Sequence, residues 1–340
     1  MPVTIRDLAK KLNLSITTVS RALDGYKDVS ESTRQRVVNA AYEMGYQPSY
    51  AARQLRRKRA DAIGYILPTS SPRFSDPLFS SFVSGLCDEA SDHQIDLVVS
   101  SCPPETQDEQ AMYHRWLDSR RVDGMVLNRT RVYDWRVEFL TRNKIPFTLL
   151  GKPDMIYDAP GIVVNERGGF ESLVRHLAAQ GHRRIAYIGA SPYLTIQLER
   201  YAGYRQGLEA AGLPFIPELV VVGDLTEEGG RQAGLKLLEM ENGPTAVLGI
   251  NDVTALGVCR AVQDAGRMVG RDVAVAGYDG IKESEFANPP LTTLFQPTYE
   301  IARRLTAMLL GVINGETLPE TRITLQPELM IRASTQNRAF

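Results

Sequence analysis

The sequence predicts an α/β protein with an N-terminal helix-turn-helix headpiece followed by two tandem parallel-sheet α/β subdomains. Three observations lead there. The first sixty residues carry twelve Lys/Arg against five Asp/Glu, net +7, and set apolar residues at helical spacing in three short blocks. From residue 62 onward, short apolar runs alternate with amphipathic stretches, as strands and helices do when they build parallel sheets. The alternation comes as two series, and 340 residues with 43% hydrophobic content suit about two sizeable domains.

In the first block, Ile5, Leu8, Ala9 and Leu12 share a helix face, Thr4 suits the N-cap, and Asp7 sits where the helix dipole favours an anion. A break at Asn13-Leu14 follows. Ser15 can cap a second helix that buries Val19, Ala22 and Leu23, and Asp24-Gly25 ends it. A third helix begins after Ser30 or Ser32, buries Val37, Ala41 and Met44, and stops at Gly45 with Pro48 close behind.

Two short helices joined by a tight turn and followed by a third form the helix-turn-helix layout, whose second helix enters the DNA major groove. The exposed positions there are Ser15, Ile16, Thr17, Thr18, Ser20 and Arg21. Arginine reads guanine bidentately, Thr and Ile methyls meet the thymine methyl, and small hydroxyls hold phosphates. A helical hairpin that only packs on its neighbours would show the same pattern. The charge separates the two: the chain sums to −1, but a +7 headpiece precedes a −8 body. Such a split points to a nucleic-acid-binding arm. Residues 48–60 form a basic linker, either a solvated tether or a short helix with Ala51, Ala52 and Leu55 on one side.

Val3-Thr-Ile-Arg-Asp-Leu-Ala, Leu14-Ser-Ile-Thr-Thr-Val-Ser-Arg-Ala-Leu-Asp-Gly25, Gly45-Tyr-Gln-Pro48 and Ala51-Ala-Arg-Gln-Leu55 resemble the LacI/GalR family of bacterial transcription regulators. The resemblance implies a homodimer, with a tetramer left open, whose two headpieces read a palindromic operator through a hinge that becomes helical on DNA. Carried over by position, the DNA contacts are Thr4, Ser15, Ile16, Thr17, Thr18, Ser20, Arg21, Tyr46, Ala52, Arg53 and Leu55. Leu55 stands where the family wedges a leucine into the central base step, a device that bends the duplex.

In the body, the first series of strand-like runs is 62–67, 95–100, 124–127, 147–150 and 162–164, and the second is 184–188, 219–222, 246–250 and 273–276. Helical patterns such as 79–93, 168–179, 200–211, 230–240 and 253–265 lie between them. Ligands of open parallel sheets bind beyond the carboxyl ends of the strands. The residues there are rich in Asp, Asn and Arg with aromatics nearby, which suits a polyhydroxylated ligand. Helix capping explains any one of them as an alternative, and for Asp224 and Asp252 it does so at least as well.

The family resemblance runs through Gly181-His-Arg-Arg-Ile-Ala-Tyr-Ile-Gly189, Asn251-Asp-Val-Thr-Ala-Leu-Gly257 and Val273-Ala-Val-Ala-Gly-Tyr-Asp279. It implies a core like a periplasmic sugar-binding protein, with a small mono- or disaccharide effector between two lobes. By position the effector meets Phe79, Asn128, Arg200, Asn251, Asp279 and Gln296, with Phe74 and Asp76 as secondary candidates. The implied domains are a headpiece 1–47, a hinge 48–60 and a core 61–340. Within the core, the N-subdomain is about 61–161 and 291–323, and the C-subdomain about 162–290 and 324–340. Three departures stand out. Leu225 replaces a common aromatic, Asn165-Glu166 replaces an Asp-Asn pair and removes a carboxylate, and Pro72–Phe79 resembles an α-glucoside-associated subgroup.

Enzyme motifs are missing: there is no phosphate loop, no His-Glu-x-x-His and no Gly-x-Ser-x-Gly. His182 is expected as a packed turn residue. Three unpaired cysteines argue against a disulfide framework or zinc site, so no metal or cofactor is expected. Without an export signal or an apolar run of spanning length, the sequence is expected to be cytoplasmic with no membrane partner. The weaker alternatives are a soluble sugar-binding protein and a carbohydrate enzyme.

Overall fold

The computed structural model describes residues 3–23, 25–26, 28–46, 59–68, 77–155 and 157–336. The chain forms two compact units, Met1–Ala60 and Asp61–Phe340.

The first unit contains helices α1 (Ile5–Leu12), α2 (Ile16–Leu23) and α3 (Glu31–Met44). Thr4 and Asp7 form a reciprocal capping box at the start of α1, and Asn13 closes it in the left-handed conformation. Ser30 caps α3, and Gly45 ends it at φ 64°, a conformation that glycine adopts without a Cβ penalty. Leu8, Ala9, Val19, Ala22, Val29, Val37, Ala40 and Ala41 pack between the three helices.

The second unit is two lobes, each a six-stranded sheet. The first sheet runs β11-β5-β4-β3-β1-β2, with β1 (Ala62–Pro68), β2 (Asp96–Cys102), β3 (Gly124–Leu127), β4 (Phe147–Leu150), β5 (Gly161–Val164) and β11 (Arg322–Leu325). All its pairings are parallel. The second runs β12-β10-β9-β8-β6-β7, with β6 (Ile185–Gly189), β7 (Val220–Val222), β8 (Ala246–Gly249), β9 (Ala274–Asp279), β10 (Thr292–Phe295) and β12 (Glu328–Met330). Its edge strand β12 pairs antiparallel with β10, a departure from the expected all-parallel sheet.

Helices α4 (Pro77–Asp92), α5 (Gln107–Asp118), α6 (Trp135–Arg142) and α12 (Thr298–Asn314) belong to the first lobe. Helices α7 (Glu166–Ala179), α8 (Thr195–Ala210), α9 (Glu227–Leu238), α10 (Asp252–Asp264) and α11 (Lys282–Phe286) belong to the second. The α4–α12 contact depends on Gly85, where a Cβ would stand 2.3 Å from the Tyr299 carbonyl oxygen. The chain crosses between lobes after Val164, Phe295 and Leu325, a few residues later than the expected boundaries near 161, 290 and 323. The reason is pairing: β5 lies between β4 and β11, and β10 between β9 and β12, so each crossing falls at a strand's carboxyl end. Among the described residues no helix is long and apolar enough to cross a membrane.

Candidate functional site

On the headpiece, the first turn of α2 presents Ser15, Ile16 and Thr17 to solvent, while Thr18 and Ser20 are half-buried. Ser15 Oγ accepts from the Thr18 amide at 2.9 Å and lies 2.8 Å from Thr18 Oγ1, so both hydroxyls are ordered by capping. Arg21 is exposed one turn further on. Its guanidinium forms a 2.9 Å ion pair with Asp28 and lies 5.3 Å from the centre of the Tyr26 ring. Thr4 donates its hydroxyl to Asp7, and Tyr46 packs against the headpiece core. The linker candidates Ala52, Arg53 and Leu55 lie outside the described residues, as do Phe74 and Asp76 of the core.

Between the two lobes lies a cavity of about 340 Å³, built at the carboxyl ends of both sheets. Asn128 follows β3, Arg200 points from α8, Asn251 follows β8, Asp279 ends β9 and Gln296 follows β10; all five line it. The register Phe295↔Asp279 sets Gln296 just beyond Asp279 on the neighbouring strand. Gln296 Nε2 donates to Asp279 Oδ1 at 2.8 Å, and Arg200 Nη2 lies 3.5 Å from the same oxygen. Asp279 adopts φ 115°, a strained backbone for a residue with a side chain and one that collects at functional sites.

Arg200 is only 3% exposed. Its Nε donates to Glu166 Oε2 at 2.7 Å, its Nη1 donates to the Ile250 carbonyl, and its guanidinium lies 3.7 Å from the Tyr278 ring centre. Burial opposes its charge, but Glu166 and Asp279 outweigh that and hold its pKa above the ordinary value. The expected loss of a carboxylate at Asn165-Glu166 is not what the structure shows, because Glu166 lines the cavity and holds Arg200. Asn165 instead caps α7, accepting from the Gly168 amide at 3.1 Å.

Asn251 spends its carbonyl oxygen on the Thr254 amide, capping α10 at 2.9 Å. Asn128 Oδ1 is buried with no hydrogen-bond partner among the described residues, so it is an acceptor available to a ligand. Among the described residues, the charged side chains lining the cavity are Arg129, Lys152 and Arg200 against Glu166, Glu199 and Asp279. That balance, with amide and carboxylate groups between apolar walls such as Leu150, Val164 and Ile196, suits a neutral hydroxylated molecule.

Phe79 does not line this cavity. It is 3% exposed, lies 4.5 Å below the Arg129 guanidinium, and borders a neighbouring cavity of about 420 Å³. Asp224 accepts from the Thr226 amide at 3.0 Å, which is local turn chemistry. Asp252 neither caps α10 nor lines the cavity. Its fully buried carboxylate accepts from the Ile281 amide at 2.9 Å and from the Thr293 hydroxyl. It thereby ties together the segments that carry Asn251, Asp279 and Gln296. Burial pushes its pKa up to about 7. His182 is buried with Nδ1 3.0 Å from Thr245 Oγ1, a packed turn residue. Among the described residues no group of three His, Cys, Asp or Glu is placed to hold a metal ion.

Residues 4–49 match the model for bacterial regulatory proteins of the lacI family, and residues 174–335 match the periplasmic binding protein-like domain. The chain is 36% identical over 340 residues to the HTH-type transcriptional regulator AglR of Rhizobium meliloti (strain 1021), covering 98% of this chain and 95% of that protein. It is 32% identical over 334 residues to the HTH-type transcriptional repressor CytR of Escherichia coli (strain K12), covering 98% and 96%. Two solved structures are similar along nearly the whole chain. One is the transcriptional regulator CelR–cellobiose complex, with TM-score 0.75, 30% identity and coverage of 98% and 99%. The other is the lac repressor dimer bound to operator and the anti-inducer ONPF, with TM-score 0.85, 27% identity and coverage of 99% and 100%. All four are transcription regulators.

Proposed function

Because the chain belongs to the LacI family of bacterial regulatory proteins and is a DNA-binding transcription regulator, we propose that it represses carbohydrate-utilisation genes in the cytoplasm under control of a neutral sugar. It acts as a homodimer on a palindromic operator, with one α2 in each major-groove half-site and the sugar between the lobes of each core. Arg21 is the guanine reader. Ser15, Ile16, Thr17, Thr18 and Ser20 supply the remaining groove and phosphate contacts, with Thr4 and Tyr46 flanking them, Ala52 and Arg53 as linker contacts, and Leu55 as the minor-groove wedge.

One observation carries the effector half of this reading: Asp279, held by Gln296 at 2.8 Å and 3.5 Å from Arg200, lines the same cavity as Asn128, whose side-chain oxygen has no hydrogen-bond partner among the described residues. Such a set takes hydroxyl donors on the carboxylate and amide oxygens and hydroxyl acceptors on the guanidinium. The cavity draws residues from both lobes, so a ligand that prefers one lobe arrangement shifts the population of the DNA-competent dimer. A coupling of about 1–3 kcal/mol is typical of such linkage.

The test starts from a selection of tight-binding sequences out of random duplex DNA, followed by titration of the selected site with single sugars. The reading expects a palindrome, a steep loss of affinity with salt as counterions leave the phosphates, and at least one sugar that changes DNA affinity. Recovery of no preferred sequence, or DNA affinity indifferent to every sugar, would count against it.

A further inference from the structure

Arg21, Tyr26 and Asp28 form one exposed unit on the headpiece. Arg21 lies four residues after Thr17 on α2, so its guanidinium stands one turn behind the exposed first turn of that helix. Its Nη1 is 2.9 Å from Asp28 Oδ2, and its central carbon is 5.3 Å from the centre of the Tyr26 ring, within cation–π range. Both partners come from the turn between α2 and α3, and that turn is tied down. Gly25 holds φ 75°, its amide donates to the Ala22 carbonyl at 3.3 Å, and the Tyr26 amide donates to the Arg21 carbonyl at 3.0 Å, a left-handed helix stop. The Tyr26 carbonyl accepts from the Val29 amide at 3.3 Å and from Arg34 Nη2 at 2.9 Å. Val29 packs into the headpiece core and Ser30 caps α3, so the backbone on either side of Asp28 is anchored.

The fold does not need the ion pair. The side chains of Arg21 and Asp28 are 48% and 49% exposed, and exposed pairs contribute little to stability. A carboxylate beside the expected DNA face of a basic headpiece also repels phosphates. What the pair supplies is order. A free arginine gives up rotamer freedom when it brings its planar fork onto a base, and a fork already held is spared that cost. The pair also supplies restraint, because a guanidinium answered by a carboxylate adds little to the sequence-independent attraction to phosphates.

We propose that Asp28, with Tyr26, is a positioning residue for sequence discrimination. It holds Arg21 Nη1 so that the remaining N–H groups of the fork meet O6 and N7 of a guanine, and it keeps Arg21 from becoming a phosphate contact on non-specific DNA. This rests on Arg21 as the guanine reader, given above.

Competition binding with the full chain tests the assignment. The probes are the duplex selected from random DNA with the parent, its single-base variants and a random duplex. At the base pair whose preference Arg21→Ala loses, Asp28→Asn and Asp28→Ala each lower discrimination at least about fivefold. Both bind the random duplex more tightly, and their log–log salt slope steepens by about one. In the Arg21→Ala background, Asp28→Ala brings no further loss of discrimination. The thermal midpoint of Asp28→Asn stays at the parent's. Tighter binding to every duplex with discrimination intact would make Asp28 a plain repulsive charge and overturn the proposal. A further loss in the Arg21→Ala background would show Asp28 touching a base itself, and a lowered midpoint would make the pair structural; either overturns it too. If Arg21→Ala keeps every base preference, the guanine reading falls and this assignment with it, while operator binding and the sugar response stand.

Discussion

Gln296 donates a 2.8 Å hydrogen bond to Asp279 from the neighbouring parallel strand, and its own amide reaches the Asp279 carbonyl at 3.3 Å. The contact fixes a buried carboxylate at the strand ends with one oxygen already claimed by Gln296 and Arg200.

Asp279→Ala is therefore expected to abolish the effector response. It removes a charge-assisted acceptor and strands the Gln296 amide, a loss of about 1.5–3 kcal/mol in ligand affinity. Glu166 still pairs Arg200, so the core should keep its fold. Thermal melting with the sugar that stabilises the parent checks this. A variant still stabilised to the parent's extent would remove Asp279 from the site.

Asp252 makes stability depend on pH. Its folded pKa is raised from 3.8 to about 7 by burial, so between those values the folded chain holds a proton that the unfolded chain has lost. Stability then falls as pH rises through that window and levels off above about 7. Asp252→Asn cannot ionise, and its melting temperature relative to the parent should improve from pH 5 to pH 8. A constant difference across that range would show that the carboxylate does not titrate there.

The headpiece was legible because its signals are local: Thr4 and Asp7, Asn13, Ser30 and Gly45 sit at the helix ends the structure uses. The strand-end rule for parallel sheets found the surroundings of Asn128, Asn251 and Asp279 for the same reason, since each follows directly on a short apolar run. What escaped depends on contacts distant in sequence. Asp252 looks like a capping residue until the strand order brings Ile281 and Thr293 against it. Phe79 is on the cleft, but its ring belongs under Arg129, fifty residues away along the chain and invisible to spacing. The short strands 292–295, 322–325 and 328–330 lack long apolar runs because they sit at lobe crossings and sheet edges.

Arg21 is the sharpest test of the DNA face. Arg21→Ala is expected to cost about 1–3 kcal/mol of operator affinity and to relax discrimination at one base pair in each half-site. Asp28→Ala removes the 2.9 Å partner of Arg21 and leaves the guanidinium, so it should alter base preference without the same loss of affinity. Competition binding against single-base variants of the selected operator measures both. Unchanged preference at every position in Arg21→Ala would assign base reading to other residues of α2.

The first lobe contains an ion cluster whose members differ greatly in burial. Arg131 is 2% exposed, with Nη2 2.6 Å from Glu109, itself 1% exposed, and Nη1 2.8 Å from Glu105, which is 50% exposed. The Arg131 amide also donates to Asp134, whose carboxylate pairs with the buried Arg136 at 2.7 Å. Removing one partner of a buried pair leaves a desolvated charge and costs about 3–5 kcal/mol, whereas an exposed partner is worth about 0–1 kcal/mol. Glu109→Ala should therefore lower the thermal midpoint of the core far more than Glu105→Ala. Replacing the pair together, Glu109→Leu with Arg131→Met, should recover much of the loss because no uncompensated charge remains. Arg131 also forms an antiparallel backbone bridge with Leu194 just before α8, so a ligand affinity equal to the parent's in the double variant shows that the backbone there is undisturbed. Equal destabilisation by Glu109→Ala and Glu105→Ala would mean that burial does not set the strength of this cluster.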